Sequence, residues 1–386
     1  MIEKLTKKYG EDKLVIGFIL LCFIASRLTM LAIWRIYSGG WGIRGAIDWF
    51  NTWDSAWYKD IAEGMFSQPM SLPFHDSNGQ AGYAFFPLYP FLCGLVRKAL
   101  PFLTTYQIGS GLSSVFFMIG EYAAYKYIRL TRDNRMLPYL YILIMSMGPY
   151  SFYFSVTYTE ALFLMLLVLC FYFMAKEQYV RMGLCGMLLS ATRNVGVFFC
   201  FCLLVYWTVK CYREHEGKHV IREITKKTFR TPYLILGAAL VPLGLFAYMF
   251  FLKQYTGDLF AFVNVQRAWG KEQVGFFHVL WQEIGGTFPP TFWGVNMVIS
   301  MVLIGWLAVK KRYDEALYPA MVLVIAGMSA AASIPRYMVG SFGVMLALSE
   351  YISGRSKGYR RTAVLLLAGY EILLINAWVN HSSSLI

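Results

Sequence analysis

Long apolar runs separated by short polar segments dominate this chain. A helix needs about 20 consecutive apolar residues to cross a membrane, whereas a β-barrel shows alternating segments of about ten residues. The pattern predicts an all-α, polytopic membrane protein of about 10–12 transmembrane helices, with residues 1–386 forming a single domain. The predicted spans lie near 14–36, 106–129, 136–150, 156–175, 179–192, 194–210, 232–252, 290–309, 316–334, 338–353 and 362–380.

The apolar segment 81–102 is predicted to enter the membrane interface without crossing. Pro87 and Pro90 interrupt a regular helix because proline lacks a backbone N–H, and Arg97 and Lys98 follow them. In the alternative topology, 81–102 crosses the membrane and 179–210 forms one helix. That arrangement moves the basic cluster 129–135 to the outer side, so the partial segment is preferred.

Composition and charge refine this picture. Of the 386 residues, 58% are apolar and 15% are charged, against about 25% charged in an average soluble domain. This balance excludes a soluble enzyme, a disordered chain and a coiled coil. The formal net charge of +13 lies in loop clusters, as in the cytoplasmic loops of membrane proteins, and so indicates topology rather than a nucleic-acid partner. The clusters are Lys4/Lys7/Lys8, Arg129/Arg132/Arg135, 210–230, Lys310/Lys311/Arg312 and 355–361.

With these clusters in the cytoplasm, two long segments face the outer side. The first is 37–105, and the second is 253–289. In the first, Asp48, Asp54 and Asp60 stand among tryptophans and tyrosines. Asp54 begins an amphipathic helix, where it could serve as an N-cap. A carboxylate beside aromatic rings at a membrane surface also suits a general base.

The aromatic residues that follow this helix predict a binding surface lined by aromatic rings. The stretch Gly82-Tyr83-Ala84-Phe85-Phe86-Pro87-Leu88-Tyr89-Pro90 places two prolines three residues apart among aromatic side chains. Rings beside polar groups suit a sugar or a lipid headgroup, although the stretch could equally be the entry to a span.

Two arginines between apolar runs are candidate phosphate clamps. Arg193 and Arg336 fall at predicted outer turns, and an unpaired arginine is costly at that depth. The alternatives are a buried ion pair, with Glu160 as a partner, or a side chain that extends to the interface. Of the acids within or near spans, Glu121 and Glu350 are predicted to be solvated helix-end residues.

Several of these segments together resemble the PIG-V family of membrane mannosyltransferases. The matching residues run in the family's order over about 48–340, and the ordered set is more specific than any one piece. They are Trp53-Asp54-Ser55 with Tyr58, Ile61-Ala62 and Gly64; Ala84 to Pro90; Pro149-Tyr150-Ser151, Phe154-Ser155 and Tyr158-Thr159-Glu160; Ala191-Thr192-Arg193-Asn194-Val195-Gly196; Gly257-Asp258-Leu259-Phe260-Ala261-Phe262 with Gln266 and Trp269; and Arg336-Tyr337.

The resemblance implies a GT-C glycosyltransferase that moves mannose from a polyprenyl-phosphate donor to an acceptor hydroxyl with inversion. It assigns the base to Asp54 by position. The candidate donor-phosphate residues are Arg193, Arg336 and Tyr337. The candidate substrate contacts are Asp48, Trp53, Trp57, Tyr58, Phe86, Pro87, Tyr89, Glu160, Asp258, Gln266 and Trp269. For Gln266 and Trp269, a solvated loop face is an equal alternative.

The resemblance leaves the acceptor open among a lipid, a polymer and a protein. It implies a multi-pass protein of the plasma membrane in a bacterium, or of the endoplasmic reticulum in a eukaryote, with the site on the non-cytoplasmic side. No cofactor is required, although Asp48 and Asp54 could hold a divalent cation. The competing hypothesis is a lipid or sugar transporter or flippase with an outer substrate vestibule.

Overall fold

The computed structural model describes residues 10–40, 42–67, 70–75, 79–214, 220–271, 273–286, 288–382 and 385. These residues are almost entirely helical, in agreement with the predicted fold class. The α-helices and β-strands are α1 Glu11–Ser38, α2 Ile43–Phe50, α3 Asp54–Gly64, β1 Phe74–His75, β2 Gln80–Ala81, α4 Leu88–Ala99, α5 Thr105–Thr131, α6 Leu137–Met147, α7 Glu160–Ala175, α8 Tyr179–Thr192, α9 Phe199–Glu214, α10 Val220–Arg230, α11 Pro232–Leu240, α12 Leu243–Thr256, α13 Ala261–Asn264, α14 Phe276–Gly285, α15 Phe292–Val309, α16 Tyr313–Gly327, α17 Ile334–Gly340, α18 Gly343–Ser353 and α19 Lys357–Val379. Short 3₁₀ turns occupy Gly82–Ala84, Ser151–Ser155, Asn194–Phe198 and Val265–Trp269.

Membrane-spanning helices are present, as the apolar runs predict. Within the described residues, five stretches are long and apolar enough to cross a bilayer, namely Glu11–Ser38, Asn194–Glu214, Pro232–Thr256, Phe292–Val309 and Lys357–Val379. Shorter apolar helices, among them α6, α7 and α18, pack inside the bundle. Helix α7 is buried along most of its length between α5 and α8. Each predicted span coincides with one or two helices.

Proline divides one of the predicted spans. The run 232–252 forms α11 and α12, and Pro242 stands at the junction as the residue before α12. Its missing N–H removes a helical hydrogen bond at that point. Helix α4, within the apolar segment 81–102, has 12 residues and a length of about 18 Å. That length is well below the hydrocarbon thickness of about 30 Å, so α4 alone cannot cross it.

Ion pairs at one end of the bundle join helix termini that are distant in sequence. At the start of α1, Glu11 lies 3.3 Å from Arg129 near the end of α5. Just beyond α5, Arg132 pairs with Glu315 in the first turn of α16 at 2.6 Å and with Glu350 near the end of α18 at 3.5 Å. We call this the basic end. It comprises the C-termini of α5, α15 and α18 with the N-termini of α1, α6 and α16.

The two segments predicted to face outward pack against each other. The first includes a two-stranded antiparallel hairpin that pairs Phe74 with Ala81 and His75 with Gln80. The Gln80 side-chain amide of this hairpin donates to the carbonyl oxygen of Ala268 in the second segment at 3.4 Å. This contact joins the two segments.

The prediction of a solvated Glu121 is wrong. This side chain is fully buried, and its carboxylate accepts a hydrogen bond of 2.7 Å from Ser146. The reason is the length of α5, which continues to Thr131 and leaves Glu121 well inside the helix. Glu350 is 22% exposed and lies at the basic end beside Arg132.

Candidate active site

Four helix termini bring four charged side chains together at the end of the bundle opposite the basic end. Asp54 is the first residue of α3, Glu160 is the first of α7, Arg193 follows α8, and Arg336 lies in the first turn of α17. Arg336 Nη1 lies 2.7 Å from Asp54 Oδ2, and its Nε lies 3.2 Å from Glu160 Oε1. The guanidinium of Arg193 pairs with the same Glu160 oxygen. We call these four residues the charge chain.

Burial differs along the charge chain. The side chain of Glu160 is completely buried, that of Arg336 is 7% exposed and that of Asp54 is 22% exposed. A buried carboxylate is stable only when cations or hydrogen-bond donors surround it, and Glu160 has both guanidinium groups. Asp54 is the most exposed member, so an incoming substrate can reach its carboxylate first.

Neighbouring polar and aromatic groups hold the two arginines. Thr159 Oγ1 accepts a 2.8 Å hydrogen bond from Arg193 Nε and lies 3.4 Å from the Tyr58 hydroxyl. The guanidinium carbons lie over the Tyr337 ring, Arg193 at 4.9 Å and Arg336 at 5.3 Å from its centre. Tyr337 therefore contacts both candidate phosphate clamps through its π-face.

The chain enters α3 through a strained residue. Trp53 has φ 58° and ψ −119°, a combination that residues with a Cβ rarely adopt. The proposed N-cap role of Asp54 is wrong, because Trp53 occupies that position and no side chain caps the helix. The Asp54 carboxylate is committed to Arg336 instead. Backbone strain of this kind concentrates at functional sites.

Two hydrogen bonds fix the segment before Asp54 against the segment before Glu160. The Asn51 side-chain oxygen accepts from the Thr157 backbone N–H at 2.6 Å. The Tyr158 hydroxyl donates to the Thr52 carbonyl oxygen at 3.2 Å. These bonds set the distance between the two carboxylates of the charge chain. Sequence reasoning missed Asn51 in this role, although a buried asparagine in a motif of large aromatics was an available signal.

Aromatic rings form a wall next to the charge chain. Trp57 stacks on Phe85 with ring centres 5.6 Å apart and lies at the same distance from Trp269 of the second segment. Tyr58 meets Phe85 edge to face at 5.2 Å. We call Trp57, Tyr58, Phe85 and Trp269 the aromatic wall. Phe85 was not among the predicted substrate contacts, and the sequence analysis named it only as part of the aromatic stretch 82–90.

Other predicted substrate contacts lie in packing or loop positions. Phe86 is buried against Tyr248 and Phe262, and Pro87 is the residue before α4. Tyr89 is fully buried and directs its hydroxyl to the Gly109 carbonyl oxygen at 2.9 Å. Of these three residues, Tyr89 meets Tyr58 of the aromatic wall edge to face, with ring centres 5.7 Å apart. Trp53 is 39% exposed at the start of α3.

The second segment contributes a cavity of about 360 Å³ between Tyr83, Asp258 and Asn264. Asp258 accepts hydrogen bonds from the Phe260 backbone N–H at 2.8 Å and from the Asn264 amide at 2.7 Å. The Phe260 N–H, with the Asn264 amide, lowers the pKa of the Asp258 carboxyl below its ordinary value. Gln266 is half-buried and donates to the Phe262 carbonyl oxygen at 3.4 Å.

The described residues do not provide a built site for a divalent cation. Asp48 is exposed on α2, and Asp54 is paired with a guanidinium that would repel a metal ion. Over the described ranges, no group of three or more histidine, cysteine, aspartate or glutamate side chains is placed to hold one. The donor set around Asp54 therefore does not fit a metal.

Sequence reasoning did not single out Lys271, which follows the motif that ends at Trp269 by two residues. Its positive charge acts on Tyr337, as do those of Arg336 and Arg193.

The helical bundle that positions the charge chain has a fold similar to that of solved oligosaccharyltransferase structures. These solved structures are of the oligosaccharyltransferase from Archaeoglobus fulgidus. One is its complex with Zn and sulfate, at TM-score 0.50 and 12% identity, covering 94% of this chain and 53% of that one. Another, described as oligosaccharyltransferase AglB with an inhibitory peptide and a dolichol-phosphate, has TM-score 0.50 and 12% identity over 98% and 56% of the two chains.

A third structure, tethered to an acceptor peptide containing the NVT sequon, has TM-score 0.50 and 14% identity over 95% and 55%. The chain thus spans about half the length of these structures. No protein-family model and no curated protein sequence matches it. At this identity the likeness defines the fold alone.

Proposed function

We propose that this protein is an inverting glycosyltransferase that uses a polyprenyl-phosphate sugar as donor. The observation that carries the proposal is the charge chain, in which the partly exposed Asp54 meets a buried guanidinium beside an aromatic wall. The GT-C fold supports the class of reaction. Mannose as the sugar follows from the resemblance to the PIG-V family.

The reaction is a single displacement at the anomeric carbon. The acceptor hydroxyl oxygen forms a bond to that carbon while the bond from the carbon to the phosphate oxygen breaks. Asp54 takes the hydroxyl proton as general base. The electron pair of the broken bond remains on the polyprenyl phosphate, which leaves with one additional negative charge.

The charge chain suits this transfer because protonating Asp54 releases Arg336. Before reaction, two carboxylates balance two guanidinium groups. Once Asp54 is neutral, Arg336 and Arg193 face only Glu160, and one positive charge is available to the leaving phosphate. Fixed cations at the point where charge develops are an effective form of transition-state stabilisation.

The aromatic wall supplies a surface for the sugar ring or the lipid phosphate. Trp57, Phe85 and Trp269 present π-faces within 6.0 Å of one another. We assign donor and acceptor contacts to this wall together with Gln266. The acceptor is a hydroxyl-bearing lipid, polymer or protein, and the site lies on the non-cytoplasmic side. The segments 37–105 and 253–289 belong to one catalytic domain, and the reaction needs no metal ion.

The test is transfer of labelled mannose from polyprenyl-phosphate mannose to membrane acceptors. Asp54→Asn should reduce the rate by about 10²–10⁴-fold, because the amide cannot accept the hydroxyl proton. Asp60→Asn is the matched control. It lies on the same helix, pairs with the exposed Lys59 at 3.5 Å and is outside the charge chain, so its rate should equal that of the wild type.

Wild-type transfer by Asp54→Asn would overturn the assignment of the base. The transporter hypothesis makes a different prediction for the same material. Protein reconstituted in liposomes that exchanges labelled substrate across the bilayer, with no covalent product in the presence of acceptor membranes, would overturn the enzyme.

A further inference from the structure

A second polar cavity lies at the basic end, far along the bundle from the charge chain. Its volume is about 540 Å³, within the range of small-ligand sites. The ends of α5, α15 and α18 and the starts of α6 and α16 line it. Nothing in the proposed reaction uses this cavity.

Positive charge exceeds negative charge on its walls. Lys310, Arg312 and Arg355 line the cavity, and no carboxylate in the described part of the chain lies within ion-pair distance of them. Arg132, only 8% exposed, is already held by Glu315 and Glu350. The lining carboxylates are Asp133 and Glu350, so four cations face two anions.

Two aromatic rings position the unpaired cations. Trp306 and Tyr351 meet edge to face at 5.4 Å. Lys310 Nζ lies 4.8 Å from the centre of the Trp306 ring, and the Arg355 guanidinium lies 4.3 Å from that of Tyr351.

Cations at helix C-termini also stabilise the helix dipole, and basic residues also set topology. Neither effect requires the cations to line one cavity beside aromatic rings. That arrangement is explained by an anionic ligand that accepts hydrogen bonds, and phosphate oxygens match guanidinium and ammonium donors.

The surroundings favour a ligand with an apolar part. Two valines of α15 near the cavity are exposed. Val302, one helical turn before Trp306, is 65% exposed, and Val309, directly before Lys310, is 78% exposed. Helix α15 is itself one of the bilayer-length apolar helices. A ligand with its charged group in the cavity therefore has a strip of apolar helix surface along which acyl chains can lie.

We propose that the cavity at the basic end binds the phosphate headgroup of an acidic phospholipid. Lys310, Arg312 and Arg355 pair with the phosphate. The acyl chains lie along α15. Bound lipid stabilises the bundle where α5, α15, α16 and α18 meet.

The test uses the purified full-length protein in detergent and measures its melting temperature with added phosphatidylglycerol or phosphatidylcholine. Phosphatidylglycerol should raise the melting temperature by roughly 2–4 °C more than phosphatidylcholine does. In Lys310→Gln/Arg312→Gln this difference should disappear. The control Lys311→Gln/Arg361→Gln removes the same charge from exposed residues outside the cavity and should keep it.

Equal responses of the two double variants would overturn the proposal, because general surface charge would then account for the effect. If the double variant fails to fold, Arg355→Gln removes a single lining charge and should reduce the phosphatidylglycerol response. An unchanged response would count against the site. Inorganic phosphate distinguishes the sources, because a wild-type shift as large as that from phosphatidylglycerol would overturn the lipid assignment in favour of a soluble phosphate.

Discussion

Glu160 accepts contacts from two guanidinium groups while it is shielded from solvent. At the residue scale, this makes it the counter-ion on which the rest of the charge chain depends. The Arg336 side chain contacts both Glu160 and Asp54. The buried carboxylate of Glu160 therefore orients the guanidinium group that meets the candidate base. Glu160 is a positioning residue in this arrangement.

Replacing Glu160 by glutamine should leave two buried arginines to share only Asp54. Breaking a buried ion pair costs about 3–5 kcal/mol in the free energy of unfolding. We expect Glu160→Gln to melt at a lower temperature. Glu160→Gln/Arg193→Gln removes one charge of each sign and should recover part of the loss. Equal melting temperatures for the single and double variants would show that charge balance does not determine stability here.

The sequence identified the members of the charge chain and, as one alternative, ion pairs of its arginines with Glu160, which the structure has. It offered Asp54 both as an N-cap, because short acidic residues favour helix starts, and as a general base. It did not pair Asp54 with another member of the charge chain. The actual partner, Arg336, is 282 residues away in the chain. Only the packing of distant helix termini brings these two together, and no local pattern encodes that.

At the element scale, close packing of α4 on α3 holds Asp54 in place. Gly94 of α4 lies so near α3 that a Cβ there would be 2.4 Å from the Phe66 ring and 2.6 Å from the Ala62 carbonyl oxygen. Backbone atoms of α3 cannot make room as a flexible side chain can. The absence of a side chain at Gly94 therefore permits the approach.

Gly94→Ala should push α3 away from α4 and displace Asp54 from Arg336. Overpacking of this kind costs about 1–3 kcal/mol, and we expect sugar transfer to fall more than tenfold. Gly111→Ala on α5 is the matched control, because a Cβ there meets nothing within 4 Å. It should retain transfer. Wild-type transfer by Gly94→Ala would contradict the role of this contact.

The helices themselves were predictable from the sequence because lipid offers backbone N–H and C=O groups no hydrogen-bond partners outside the helix. The 3₁₀ turns that interrupt the helices were less predictable. The 3₁₀ turn Ser151–Ser155, for example, lies inside the bundle, where the Phe152 N–H donates to Glu371 at 3.0 Å and Arg27 donates to Ser151 Oγ at 2.8 Å. This turn leads into Glu160. Its partners come from the first and last long helices, so sequence periodicity alone could not identify them.

For the whole molecule, the two ends of the bundle carry different chemistry. One has the charge chain and the aromatic wall, and the other has the basic clusters and the second cavity. Helix α5 separates them, because its start lies beside α3 and its end reaches Arg132. The excess of basic residues predicts that the basic end is cytoplasmic. The charge chain should then face the opposite side of the membrane.

Cysteine labelling tests this orientation. Asp60→Cys places a thiol near the charge chain at a side chain that is 44% exposed, and Lys311→Cys places one at the exposed basic end. The seven native cysteines are buried or half-buried and give a low background. A membrane-impermeant maleimide should label Asp60→Cys in intact cells and Lys311→Cys only after permeabilisation. The reverse result would place the charge chain in the cytoplasm, where the proposed outer-face transfer could not occur. Labelling of both variants in intact cells would mean that the membrane does not separate the two ends.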